Sequence, residues 1–82
     1  MGFYNSDEKR YGVYMISYRM WRGNINYNQK PRFASNDKDK VIAYADEELV
    51  KCCDGTAYAI VDYRYDTTLF VKVKENGKYR TI

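Results

Sequence analysis

The residues of this chain that could do chemistry are lysines, arginines and tyrosines. Fourteen of 82 residues are Lys or Arg, ten are Tyr, and none is His. Without histidine, the candidates for proton transfer or nucleophilic attack shrink to carboxylates, tyrosines and the adjacent thiols Cys52 and Cys53. Neither small cluster converges. Asp46, Glu47 and Glu48 are consecutive in a helical stretch, where neighbouring side chains point in different directions. A solvated acidic face accounts for them. Adjacent cysteines bridge only with strained geometry, and a metal or redox site would want a second thiol pair or histidines. Cys52 and Cys53 read as small reduced residues near a helix end. There is no P-loop, no G-x-G-x-x-G and no zinc pattern. The residue types point away from catalysis, metals and cofactors, and toward binding a macromolecule.

Cations beside exposed aromatic rings can pair phosphates and stack bases. Net charge is only +3, but it is segregated. Residues 1–36 carry six basic against two acidic residues, net +4. Residues 37–63 carry three against seven, net −4, and residues 64–82 five against two, net +3. The helical part is acidic and most of the sheet-forming part is basic. If the helix covers one sheet face, the other mixes Lys, Arg and Tyr. On that face Arg19, Arg22, Arg64, Lys72, Lys74, Lys78 and Arg80 would bind a partner or the phosphates of a nucleic acid, with Tyr18, Tyr63 or Tyr65 under bases. Charge reversal at Lys72, Lys74 and Arg80 should then abolish function and leave folding near normal. The plainer reading of the same residues is a solvated outer face with lysines guarding the sheet edges. Trp21 reads as core or sheet-face packing.

These residues need elements to hold them. Arg10 to Arg22 reads as a strand with apolar residues of both parities, as in a central strand. Gly23-Asn24 is a turn signal, and a weaker strand follows from Ile25 to about Gln29. Pro31 lacks a backbone donor and confines that region to a sheet edge or a loop. Ser35-Asn36-Asp37 opens a helix, with Ser35 or Asn36 as the capping acceptor. Val41, Ile42, Ala45, Leu49 and Cys52 or Cys53 follow the helical period. Asp54-Gly55 closes it, with Gly55 as a left-handed cap. Thr56–Tyr65 and Thr68–Lys74 read as strands, the second with Leu69, Val71 and Val73 on one face. Asn76-Gly77 suits a type I′ hairpin, and Tyr79–Ile82 closes the sheet. The fold class is α+β: a mainly antiparallel five-stranded sheet with one helix packed on one face, in the order β-β-α-β-β-β.

Length and composition fit one domain over residues 1–82, with residues 1–8 a flexible leader. No run approaches the roughly 20 apolar residues of a membrane span. The polar first ten residues lack the apolar core of a secretory signal, which places the protein in a cytoplasm.

One further pattern runs from residue 34 to residue 78. It comprises Ser35, then Lys40, Ile42 and Ala43 in the helix, then Cys52, Gly55 and Thr56 in the C-C-D-G-T run. Ile60 and Leu69 follow in the strands, and Lys74-Glu75-Asn76-Gly77-Lys78 at the hairpin. In these residues the chain resembles a small phage-encoded anti-CRISPR family whose members inhibit a type I-F surveillance complex. The resemblance implies a non-enzymatic inhibitor that docks on the backbone subunits of such a complex and competes with target DNA for a basic groove. It implies contacts through cations around the helix and the last hairpin, of which Lys40 and Lys74 carry over. The arginine that follows the helix lysine in the family is Val41 here, and the helix reads about one turn longer and more acidic.

The first expectation is therefore a phage anti-defence protein acting in the host cytoplasm. Its partner would be a host defence complex, such as a CRISPR effector, or the guide or target nucleic acid of that complex. A second reading is a small DNA- or RNA-binding protein that uses the basic, tyrosine-rich sheet face directly. A third is a structural or regulatory phage protein that self-associates, since an open sheet edge allows a homodimer.

Overall fold

The helix starts at Asp37. Its carboxylate accepts the Asp39 N–H at 3.0 Å, and its carbonyl accepts the Val41 N–H at 3.3 Å. An oxygen at this position satisfies first-turn donors that have no partner within the helix. The residues expected to cap act just outside. Ser35 Oγ accepts the Asp37 N–H at 3.1 Å, and Asn36 Oδ1 accepts the Arg10 N–H at 2.8 Å. The computed structural model describes residues 9–21, 23 and 29–82. The expected leader, Arg22, and residues 25–28 of the expected second strand lie outside the described residues.

Helix α1 spans Lys38–Lys51 and buries Val41, Ala45 and Leu49 completely, one per turn along a single stripe. It ends four residues before Gly55. Cys52 is already extended, with its N–H on the Leu49 carbonyl at 3.1 Å. Gly55 is not a helix cap but the third residue of a turn closed by Thr56 N–H on the Cys53 carbonyl at 3.2 Å. Its φ of +90° is what the third position of a type II turn needs.

Five strands form one sheet: β1 (Tyr11–Ser17), β2 (Phe33–Ser35), β3 (Thr56–Asp62), β4 (Thr67–Glu75) and β5 (Lys78–Thr81). Their spatial order is β2-β1-β3-β4-β5, and every pairing is antiparallel. The fold is α+β with the helix between β2 and β3 in sequence, as expected. β2 is a three-residue edge strand just past Pro31. β1 is shorter than expected. It ends at Ser17, and Tyr18–Met20 wind into a single 3₁₀ turn. β3 stops at Asp62, and residues 63–66 turn into β4.

The core has two layers, one on each side of the sheet. On the helix side Val13, Tyr58 and Ile60 pack against Val41, Ala45 and Leu49, with Phe33, Tyr44 and Phe70 at the margin. On the far side Tyr14, Ala57, Ala59, Val61, Tyr63, Val71 and Val73 form a second buried cluster, flanked by Ile16, Tyr18 and Trp21. β3 supplies both layers and is buried along nearly its whole length, as a central strand must be. The far face is therefore apolar over most of its area. Its cations lie at the ends of the sheet.

Leu69 does not share a face with Val71 and Val73 as alternation predicts. The ladder pairs Ile60 with Phe70 and then Val61 with Thr68, so Leu69 is an extra residue at a bulge and stays 40% exposed.

Candidate interaction surface

The cations and tyrosines singled out in the sequence divide between two ends of the sheet and the gap beside the helix. The β4–β5 hairpin defines one end. Asn76 (φ 52°) and Gly77 (φ 75°) make the two-residue turn, with Gly77 N–H on Asp54 Oδ1 at 3.1 Å. Alternation along β5 sends Lys78 and Arg80 to the far side and Tyr79 to the helix side. Arg80 donates to Glu75 Oε1 at 2.8 and 3.3 Å, and its guanidinium lies 5.8 Å from the centre of the Tyr18 ring. The hydrogen bonds to Glu75, and then to Tyr18, raise the Arg80 pKa. Tyr18 is held at the same end by its N–H on the Gly55 carbonyl at 2.9 Å. Arg19 and Met20 follow it on the 3₁₀ turn, and Met20 is 75% exposed. Tyr18, Arg19, Lys78 and Arg80 are thus brought to one end of the molecule.

Lys72 and Lys74 are not on that surface. Strand parity turns both toward α1. Lys72 Nζ meets Asp46 Oδ1 at 2.9 Å, and the buried Tyr58 hydroxyl donates to the same oxygen at 2.5 Å. Burial, and then the Asp46 carboxylate, push the Tyr58 phenol well above its ordinary value. Lys74 Nζ donates to the carbonyls of Cys52 at 2.8 Å and Val50 at 3.0 Å. Those acceptors lie at the helix C-terminus, where carbonyls lack intrahelical partners and a cation suits the dipole.

The opposite end carries Arg64 and Tyr65. Tyr65 is 64% exposed, with the guanidinium of Arg64 at 5.7 Å and that of Arg10 at 5.6 Å from its ring centre. Arg10 is fixed by Asp62, 3.0 Å from Nη2 and 3.2 Å from Nε, and lies 5.0 Å from the Tyr11 ring. Hydrogen bonding to Asp62 raises the Arg10 pKa. Lys40 is exposed in the first turn of α1, at this same end. Tyr63 is only 5% exposed, and its hydroxyl lies 2.7 Å from that of Tyr14. It belongs to the far-side core.

Sequence reasoning missed Met20, Tyr79, Arg10 and Tyr11. Tyr79 had a readable signal, because it alternates with Lys78 and Arg80 across the Asn76-Gly77 turn. Met20 had none, since a strand through Arg22 would have placed it in a ladder. Among the described residues, no group of three or more Cys, Asp or Glu is placed to hold a metal ion, and no helix is long and apolar enough to cross a membrane. Comparison with known protein families, curated proteins and solved structures finds no match to this chain.

Proposed function

We propose that this chain acts by binding and blocking a host nucleic-acid-targeting complex in the cytoplasm, and that the hairpin end is the surface it uses. One observation carries the reading. Tyr18, Arg19, Met20 and Arg80 collect at one end, with Tyr79 next to Arg80 on the other face of the edge strand, and Tyr, Met and Arg are the types enriched at protein interfaces. Lys78 adds a charge at the rim. Such a surface suits a partner that presents acidic groups or phosphates beside apolar ones. The anti-defence identity of the partner draws on the resemblance over residues 34–78. The test is capture of partners from a bacterial lysate on the tagged chain, with and without nuclease. A nucleic-acid-targeting protein complex retained after nuclease supports the reading. Retention of nucleic acid alone, lost on nuclease treatment, counts against it.

A second reading is favoured by one other arrangement. The exposed Tyr65 ring, with the Arg10 and Arg64 guanidinium groups over it, joins an aromatic ring to two cations, the combination that single-stranded nucleic acid binds. In that reading the chain binds single-stranded nucleic acid directly, and affinity falls steeply with salt.

A further inference from the structure

β5 ends the sheet, and one hydrogen bond shows which way its backbone faces. Ile82 N–H donates to the Val71 carbonyl at 2.8 Å. In an antiparallel ladder, hydrogen-bonded and non-hydrogen-bonded pairs alternate. Counting back from Val71 and Ile82, the next bonded pairs are Val73 with Arg80 and Glu75 with Lys78. The last is also the pair that a two-residue I′ loop closes. Lys74–Tyr79 and Lys72–Thr81 are then the non-bonded pairs. The N–H and C=O groups of Tyr79 and Thr81 point away from β4, where the described residues provide no further strand. All four residues of β5 are exposed.

Side chains on this edge have opposite character on the two faces. Lys78 and Arg80 lie on the far face. On the helix face Tyr79 lines an open groove with Leu49, Val50, Asp46 and Lys72. Its volume is about 140 Å³, close to the ~150 Å³ of a cavity that accepts benzene. It has room for one apolar side chain.

A second copy of the chain is a poor occupant. A two-fold pairing that uses the outward groups must join Tyr79 to Tyr79, Tyr79 to Thr81, or Thr81 to Thr81. The first sets Lys78 opposite Arg80, and the second sets Arg80 opposite Arg80. Like charges directly opposite are destabilising. The third sets the Arg80 cation opposite the apolar side chain of Ile82, where neither finds a complement.

We propose that β5 takes up an extended acidic segment of a partner protein as a sixth, antiparallel strand. Acidic residues lie opposite Lys78 and Arg80, and the apolar residue between them enters the groove beside Tyr79. Main-chain bonds to Tyr79 and Thr81 supply affinity, and the alternating side chains supply selectivity. This inference rests on the reading that the hairpin end meets a macromolecule, and names the chemistry of that macromolecule.

The test is an NMR titration of the full isotope-labelled chain with a capped peptide in which glutamate alternates with valine. Two controls accompany it: the same peptide N-methylated at alternate peptide bonds, and a lysine–valine peptide. Amide shifts centred on Tyr79 and Thr81 are expected, with at least tenfold weaker binding of both controls. Thr81→Pro removes an outward N–H that β4 does not use, and should weaken the glutamate–valine peptide at least tenfold. Equal binding of the N-methylated peptide, shifts centred elsewhere, or no binding at millimolar peptide overturns the proposal. The two readings fail separately. Partner capture that survives Thr81→Pro removes strand addition and leaves the hairpin end as the docking surface. Peptide binding at β5 with no host protein captured removes the proposed function and leaves the acidic-strand site standing.

Discussion

Lys74 Nζ lies 2.8 Å from the carbonyl oxygen of Cys52, so a side chain from β4 closes the C-terminus of α1. This changes what a charge reversal there would report. Reversing Lys72, Lys74 and Arg80 together would strain the packing of the helix on the sheet as well as change the surface, because two of the three bond to the helix or its C-terminal end.

Lys74→Met keeps the aliphatic stem and removes the donor. It should destabilise the chain by about 1–2 kcal/mol, the worth of a charged hydrogen bond at a helix C-terminus that still reaches water. Arg80→Met, on an exposed ion pair, should move the unfolding midpoint much less. Urea unfolding of the two variants separates these roles, and equal midpoints would refute the assignment of Lys74.

Burial of the Tyr58 phenol, reinforced by its bond to Asp46, predicts an alkaline limit to stability. The folded-state pKa of Tyr58 is raised above its unfolded value of about 10. A folded protein that binds this proton more tightly is stabilised fully below pH ~10 and loses that stability as pH rises above it. Unfolding free energy should fall between about pH 10 and 11 in the natural chain, and fall less steeply in Tyr58→Phe. Parallel curves would show that the surroundings of the Tyr58 phenol do not hold its proton.

Tyr63 and Tyr65 are two residues apart and should behave oppositely. Tyr63→Ala empties the far-side core and should cost about 3–5 kcal/mol, as for other large aromatic truncations. Tyr65→Ala, on an exposed ring, should shift stability by less than about 1 kcal/mol. A Tyr65→Ala variant that unfolds would mean that the Arg10–Tyr65–Arg64 stack is structural and leaves no platform for a base.

Asp62 is 3% exposed and accepts from Arg10 and from the Arg64 N–H at 3.0 Å. Asp62→Ala strands these donors at the turn between β3 and β4. The cost should be about 2–4 kcal/mol, somewhat below a fully buried pair because Arg10 reaches water. Thermal unfolding of Asp62→Ala beside Arg10→Met tests whether the two act as one unit.

Much of the fold was legible because its signals are local. The Val41, Ala45 and Leu49 stripe sets the helix, and Asn76-Gly77 sets the last hairpin. What was not legible depends on choices made far along the chain. Strand parity is written in the sequence, but which parity faces the helix is not, and one step of register exchanges the faces. That choice turned Lys72 and Lys74 inward and left Arg80 outward. Ala57 and Ala59 give little hydrophobic signal, yet with Tyr14, Tyr63 and Val71 they build a second core layer where an open basic face was expected. The bulge at Leu69 and the 3₁₀ turn at Tyr18–Met20 are backbone departures that no alternation pattern announces.

The most direct test of the central claim is a comparison of partner capture by the natural chain, by Lys78→Glu/Arg80→Glu, and by Arg64→Glu/Tyr65→Ala. All changes lie at exposed residues, so each variant should fold. The hairpin-end pair should lose the nuclease-resistant partner at least tenfold, while the opposite-end pair retains it. Retention by the hairpin-end pair, with loss by the opposite-end pair, would rule out the hairpin end and move the binding surface to Arg64 and Tyr65.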